Sequence, residues 1–205
     1  MKWYAISNIY INFIKQFDNI VPNNDYGNRM KCFLGVVFKA DNDICYFAPL
    51  SSYKPKFKTL NNDIDFYKII DRNISKIYGA INLNNMIPVP ETEITEVTFK
   101  NISNFRTFNS NRDKKHYWNL LKKELLCIDE NSILQSAEKL HYSVINNPNS
   151  FLAKRCCNFS LLEEKATEYK NTISRENKMP SIEDVDDEHA IVPEHGPEND
   201  IELEI

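Results

Sequence analysis

Apolar positions in the first hundred residues recur with two different periods, and the changes of period mark out the elements. Residues 3–6 form a short apolar run that predicts a strand, and Ser7 can cap the helix that follows. Ile6, Ile9, Tyr10, Phe13, Ile14 and Phe17 fall at helical spacing in that helix. It should stop near Asp18, because the stretch from Pro22 to Asn28 is dense in turn formers. Residues 31–39 and 44–50 then predict two strands joined by a turn over 40–43. Both strands are apolar on both faces, which places this hairpin centrally in a sheet covered on both sides.

The hairpin fixes an expected register. A four-residue connection would pair Lys39 with Ile44, and would therefore set Lys31 opposite Ser52 and Cys32 opposite Ser51. Cys32 and Cys45 would then lie roughly 23 Å apart along the ladder, too far for a disulfide. Pro49 has no N–H to donate, so pairing is expected to fail about there and let Ser51 and Ser52 splay.

Further strands are predicted over 65–70 and 76–83, with one or two more over 86–89 and 93–99 made edge-like by Pro88 and Pro90. A loop over 56–63 and a polar connection over 101–109 separate these elements. Beyond Ser110 the period becomes helical. Ser110 to Asp113 forms a capping box before Tyr117, Leu120, Leu121, Leu125 and Ile128. A second helix carries Ile133, Leu134, Ala137, Leu140 and Val144, and a third, capped by a box from Ser160 to Glu163, should run to about Tyr169. Strands first and helices later give an α+β class.

Composition narrows this only a little. The chain has 205 residues, enough for one domain and a tail. Residues 1–170 form the expected domain. Residues 171–205 are acidic, nearly free of aromatics and punctuated by Pro180, Pro193 and Pro197, the composition of a disordered extension. The formal charge of −4 hides this asymmetry: from 171 onward 11 acidic residues face Arg175 and Lys178, a balance of −9, which leaves +5 on the body. A basic body is compatible with a polyanionic partner. No apolar run approaches the roughly 20 residues that cross a bilayer, and the N-terminus lacks the apolar core of a signal peptide, so a cytoplasmic location is expected. Five cysteines without C-x-x-C spacing, and His116, His141, His189 and His195 without ligand spacing, read as buried thiols and boundary histidines rather than a metal site.

The chemistry concentrates where the second hairpin strand ends. Ser51, Ser52, Tyr53 and Lys54 follow Pro49-Leu50 at once, with Lys56 and Lys58 behind. RNA can be cleaved by its own 2′-hydroxyl attacking the adjacent phosphorus. Lysines can neutralise the phosphoryl oxygens and move protons, and serine hydroxyls can orient the phosphate. Lys31, Ser51, Ser52 and Lys54, with Tyr26 positioning the nucleotide, form a set able to do this. A solvated polar turn is the plain alternative at this spacing. Nucleophilic serine catalysis lacks its Gly-x-Ser-x-Gly elbow. Arg29, Lys56, Lys58, Arg112, Lys114, Lys115 and His116 are candidate contacts to the RNA backbone, with a solvated helical face as the alternative for the last four.

Several segments match a known family in collinear order. The run Cys157-Asn-Phe-Ser-Leu-Leu-Glu-Glu-Lys165 resembles the closing motif of the type III toxin–antitoxin ribonucleases, the ToxN/AbiQ family. The opening Lys2-Trp-Tyr-Ala-Ile-Ser7 fits it, as do Lys31-Cys-Phe-Leu-Gly-Val-Val37, Ala48-Pro-Leu-Ser-Ser-Tyr-Lys54 and Ile81-Asn-Leu-Asn-Asn-Met-Ile-Pro88. The resemblance implies a strongly twisted antiparallel sheet similar to the MazF/Kid toxin fold, surrounded by helices. It implies a phage-defence endoribonuclease that works without metal or cofactor and leaves 2′,3′-cyclic phosphate and 5′-hydroxyl ends. It also implies that the inhibitor is a repeat-derived RNA pseudoknot, not a protein, often held in a ring of three toxins and three RNAs. Cellular and phage RNA would be the substrates.

Carried over by residue, the family's catalytic lysine matches Lys31, its hydroxyl pair Ser51 and Ser52, its second lysine Lys54 and its tyrosine Tyr26. Tyr53 departs from a common proline, and Tyr26 stands one residue further from Lys31 than the family pattern has it. A non-catalytic RNA-binding or assembly module on the same fold is the alternative from a different class.

Overall fold

Seven strands make one antiparallel sheet: β1 (Trp3–Ile6), β2 (Phe33–Ala40), β3 (Ile44–Ser52), β4 (Phe66–Asp71), β5 (Lys76–Asn82), β6 (Ile87–Val89) and β7 (Ile94–Glu96). Their order is β4-β5-β3-β2-β1-β7, with β6 paired to β3. Four helices complete the chain: α1 (Asn8–Lys15), α2 (Asn111–Leu126), α3 (Glu130–Asn146) and α4 (Phe159–Glu176). The computed structural model describes residues 1–40 and 44–176, the side chains of 36–40 and 176 excepted. The counts of strands and helices refer to those residues. Residues 41–43 of the turn expected over 40–43, and 177–205 of the extension expected over 171–205, lie outside them, while 171–176 belong to α4 rather than to a disordered extension.

Local sequence accounts for most element starts. Ser7 Oγ accepts from Tyr10 N at 3.1 Å, and Asp129 Oδ1 accepts from Ser132 N at 3.1 Å, each satisfying a donor that the helix itself leaves unpaired. Ser110 caps α2 in the same way through Asp113 N. The core sits between the sheet and α3, α4 and α1, around Trp3, Phe33, Leu34, Tyr46, Leu140 and Phe159. Trp3 Nε1 donates to Leu121 O at 2.9 Å, tying β1 to α2. The Glu163 carboxylate accepts from Tyr46 at 2.7 Å and lies 2.6 Å from His141 Nε2, joining β3, α3 and α4 through one buried polar contact.

Two expectations about the hairpin are overturned. Ala40 pairs with Ile44, not Lys39 with Ile44, and an irregularity between Val36 and Lys39 then steps the register to Phe33 opposite Pro49. Leu50 N consequently donates to Cys32 O at 2.9 Å, so the next step sets Lys31 against Ser51 rather than Ser52. Nor does Pro49 end the strand. Leu50 points its N–H toward β2, so by alternation the nitrogen of Pro49 faces the opposite edge. That edge is the break between β6, which pairs up to Phe47, and β5, which begins at Leu50. The missing donor falls where no strand asks for it, and β3 runs on to Ser52.

Smaller differences follow the same logic. Pro88 and Pro90 do mark an edge, since β6 and β7 each pair with one strand only. The α4 cap is Asn158, whose Oδ1 accepts from Leu161 N, and not Ser160. Glu163, expected to close the box, is engaged with Tyr46 and His141 instead. The helix runs to Glu176, seven residues beyond the expected end near Tyr169.

Candidate active site

The chain between α1 and β2 doubles back on itself under local hydrogen bonds. Asn24 is buried and donates to Ile6 O and Asn8 Oδ1, both at 2.7 Å, which anchors the start of the segment. Lys31 N donates to Asn24 O at 2.8 Å and Tyr26 N to Arg29 O at 3.0 Å, closing a tight turn. Gly27 sits in it at φ 78°, a left-handed conformation that its missing Cβ makes inexpensive. The turn is clamped from outside by Met30 N to Phe105 O at 2.7 Å and Thr107 N to Asn28 O at 2.9 Å. The result places the Lys31 ammonium 5.2 Å from the centre of the Tyr26 ring.

The other half of the site comes from the end of β3. Ser51 pairs with Ala80 and Ser52 with Gly79, so both serines are held in a ladder rather than in a loop. Tyr53 N extends the pairing to Tyr78 O at 3.1 Å. A 3-10 turn then begins at Pro55 and runs to Lys58, pinned by buried Phe57, whose N donates to Lys54 O at 2.9 Å. Lys54 therefore stands at a fixed corner between strand and turn.

Tyr26, Arg29, Lys31, Ser51, Ser52 and Lys54 line one cleft of about 280 Å³. All five candidate catalytic residues meet there, with one of the candidate RNA contacts. Among the others, Lys56 lines a second cleft of about 530 Å³ that shares Ser51 and Lys54 with the first. Lys58, Arg112 and Lys115 are exposed and line neither. Lys114 lies 4.8 Å from the centre of the Phe99 ring and shares a shallow hollow with Arg106. His116 faces a separate hollow with Lys76, Lys122 and Lys123.

Three residues that sequence reasoning did not select belong to the site. Arg106 lines the cleft with its guanidinium carbon 4.3 Å from the centre of the Tyr117 ring, a cation–π stack that holds a permanent charge at the cleft wall. Tyr117 also lines it, 3.8 Å from Cys32 Sγ. Burial pushes both the Tyr117 phenol and the Cys32 thiol upward, so both are neutral near pH 7. Asn82 Nδ2 donates to Ser51 Oγ at 2.8 Å, which leaves the Ser51 O–H to point elsewhere as a donor. Arg106 lay in a connection without periodicity, and only the pairing of 28–30 with 105–107 brings it in. Tyr117 read as part of a helix core. Asn82 had a weak signal in the matched run from Ile81.

The profile of toxin ToxN from type III toxin–antitoxin systems matches residues 2–167. The chain belongs to this family. An endoribonuclease ToxN of Bacillus thuringiensis subsp. kurstaki is 32% identical over 176 residues, covering 82% of this chain and 84% of that protein. A solved structure from work on selective toxin inhibition by a non-coding RNA pseudoknot in bacterial type III systems superposes with a TM-score of 0.69 at 32% identity, covering 82% of this chain and 97% of the other. The structure of AbiQ, a lactococcal anti-phage endoribonuclease of the type III class, superposes with a TM-score of 0.67 at 26% identity, covering 83% and 98%. The α+β fold is thus the ToxN/AbiQ fold. Every residue lining the smaller, candidate cleft lies inside the matched range.

Proposed function

We propose that this ToxN-family chain is the endoribonuclease toxin of a type III toxin–antitoxin system, cutting RNA by attack of the 2′-hydroxyl on the neighbouring phosphorus. The observation that carries the reading is the convergence of Tyr26 and Lys31 from one segment with Ser51, Ser52 and Lys54 from another on a single cleft. A polar surface turn would have no reason to gather these groups with Arg29 and Arg106.

The geometry supports a division of labour. The scissile phosphate lies across the end of β3, where the hydroxyls of Ser51 and Ser52 donate to its non-bridging oxygens. Asn82 holds Ser51 in a donating orientation. Lys31 and Lys54 approach from opposite sides, neutralise the charge that builds on the phosphoryl oxygens, and move protons from the 2′-hydroxyl and to the leaving 5′-oxygen. Tyr26, close to Lys31 and 47% exposed, positions the nucleotide at the cleft mouth. Arg106 and Arg29 hold a neighbouring backbone phosphate. Side chains alone supply the charge, so no metal is required, and the products carry 2′,3′-cyclic phosphate and 5′-hydroxyl ends.

The family relationship supports the rest. A small RNA pseudoknot cut from a repeat precursor inhibits the toxin by occupying this basic cleft, in a closed ring such as three toxins with three RNAs. Cellular and phage RNA in the bacterial cytoplasm are the targets.

Incubating the purified chain with cellular RNA and EDTA tests the chemistry. Fragments ending in 2′,3′-cyclic phosphate should appear. Removing one preorganised donor typically costs about 10²–10³ in rate. Lys54→Ala and Ser52→Ala should each fall by that factor while circular dichroism stays unchanged, since both side chains are exposed. Undiminished cleavage by both variants would remove this cleft as the site.

A further inference from the structure

The larger cleft beside the catalytic one has an unusual lining. Five asparagines, Asn61, Asn62, Asn82, Asn84 and Asn85, face a space of about 530 Å³ that opens onto Ser51 and Lys54. Three of these amides are oriented by the framework. Asn84 Nδ2 donates to Arg155 O at 3.0 Å and Asn85 Nδ2 to Ile20 O at 3.1 Å. Carbonyl oxygens only accept, so the amide nitrogens must face them, and the Oδ1 atoms are what remains. Asn82 likewise commits its Nδ2, to Ser51. Among the described residues no hydrogen bond reaches the Oδ1 of Asn82 or Asn84, whereas the Asn85 side chain also bonds the Cys157 thiol. The cleft thus presents fixed acceptors, each held by a bond to the scaffold and each within one half-buried patch.

Charge argues against an anion in the depth of this cleft. Arg155, one of its three basic lining residues, is paired with buried Asp65. A second carboxylate-bearing side chain, Asp63, adds acceptors rather than donors. Lys54 is shared with the smaller cleft, where a backbone phosphate would be, and Lys56 follows it two residues on. A neutral, flat group carrying N–H donors fits this arrangement.

We propose that this cleft is a nucleobase subsite for one of the two nucleotides flanking the scissile phosphate, and that it selects bases bearing an exocyclic amine over uracil. The inference rests on the placement of cleavage at Ser51–Lys54. Adenine, cytosine and guanine each offer an amino group with two N–H donors to a pair of fixed acceptors, while uracil offers a single ring N–H flanked by two carbonyl oxygens, which would meet Oδ1 and carboxylate oxygens head-on. A site built to hydrogen-bond a donor discriminates against an analogue lacking it, because its fixed acceptors are then left unpaired. Asn82 joins this subsite to the chemistry: a base that draws on its Oδ1 also fixes the amide that orients Ser51.

The test uses the wild-type protein and short RNAs that vary the nucleotide on each side of the cut. At one side, and one side only, kcat/KM should fall about tenfold or more for uridine. It should also fall when the amine alone is deleted, as in purine riboside for adenosine. Asn84→Ala and Asn61→Ala should narrow that preference, with thermal melts confirming the fold. Equal cleavage of all four bases at both sides, indifference to loss of the amine, or an unaltered preference in both folded variants would each overturn the subsite. Those outcomes presuppose cleavage. If the wild type does not cut at all, or cuts equally well after Lys54→Ala and Ser52→Ala, the catalytic reading fails, and the subsite with it.

Discussion

Gly79 sits opposite Ser52 in the ladder between β3 and β5, and a Cβ placed on it would lie 2.5 Å from Ser51 O. Backbone atoms cannot yield there as a flexible side chain would, so the strand carrying both serines could approach β5 only because this position has no side chain. Gly79→Ala must push β3 outward exactly where Ser51 and Ser52 face the cleft. Overpacking of this kind costs about 1–3 kcal/mol. A displacement near 1 Å at reacting groups can cost about 10² in rate. We expect the variant to unfold at lower urea with a loss in that energy range, and to lose activity more than stability. Normal cleavage rates in a destabilised variant would show that the serines do not depend on this approach. Asn82 shares the same dependence, since its bond to Ser51 spans the β3–β5 pair.

Among the elements, β3 and α4 show where local reading succeeds and where it stops. Helix starts at Ser7, Ser110 and Asp129 follow from side chains that bond their own backbone three residues on, and such signals are complete within a few residues. The α4 start carries two competing signals. Ser160 and Glu163 spell a box, but Asn158 is the residue that caps, because Glu163 is drawn away by Tyr46 and His141, more than twenty residues distant in sequence. Asn158→Ala should therefore cost about 1 kcal/mol in urea unfolding. Ser160→Ala, on an exposed face, should stay within about 0.5 kcal/mol. The reverse order would restore the box. The β2–β3 register failed for a similar reason, because the irregularity between Val36 and Lys39 is not written in the hairpin residues. Pro49 was a true signal misassigned: its missing donor marks the change of neighbour from β6 to β5, not the end of the strand. The site divides likewise. That Tyr26, Lys31, Ser51, Ser52 and Lys54 would share one cleft was legible from the matched motifs, even though the expected register and the Tyr26 spacing were each off by one, whereas Arg106 becomes part of the cleft only through strand-like pairing with Arg29 across more than seventy residues.

At the scale of the whole molecule, one buried group contributes a distinct step to how stability depends on pH. Glu124 on α2 is 3% exposed, and its Oε2 has no hydrogen-bond partner among the described residues. Desolvation raises its carboxyl from an ordinary value of 4.5 to about 7. In the unfolded chain the same carboxyl ionises near 4.5, so between that value and about 7 the folded protein holds a proton that the unfolded one has released. Stability must then decline as pH rises through this window, and level off above it. The full penalty is on the order of 3 kcal/mol. Replacing the carboxyl with a neutral amide of the same shape removes the titration without opening a cavity. Glu124→Gln should accordingly exceed the wild type in urea stability by up to about 3 kcal/mol at pH 8, and show little advantage at pH 4.5. Unfolding curves at those two pH values decide it: a gap of equal size at both would mean that the carboxyl does not titrate between them.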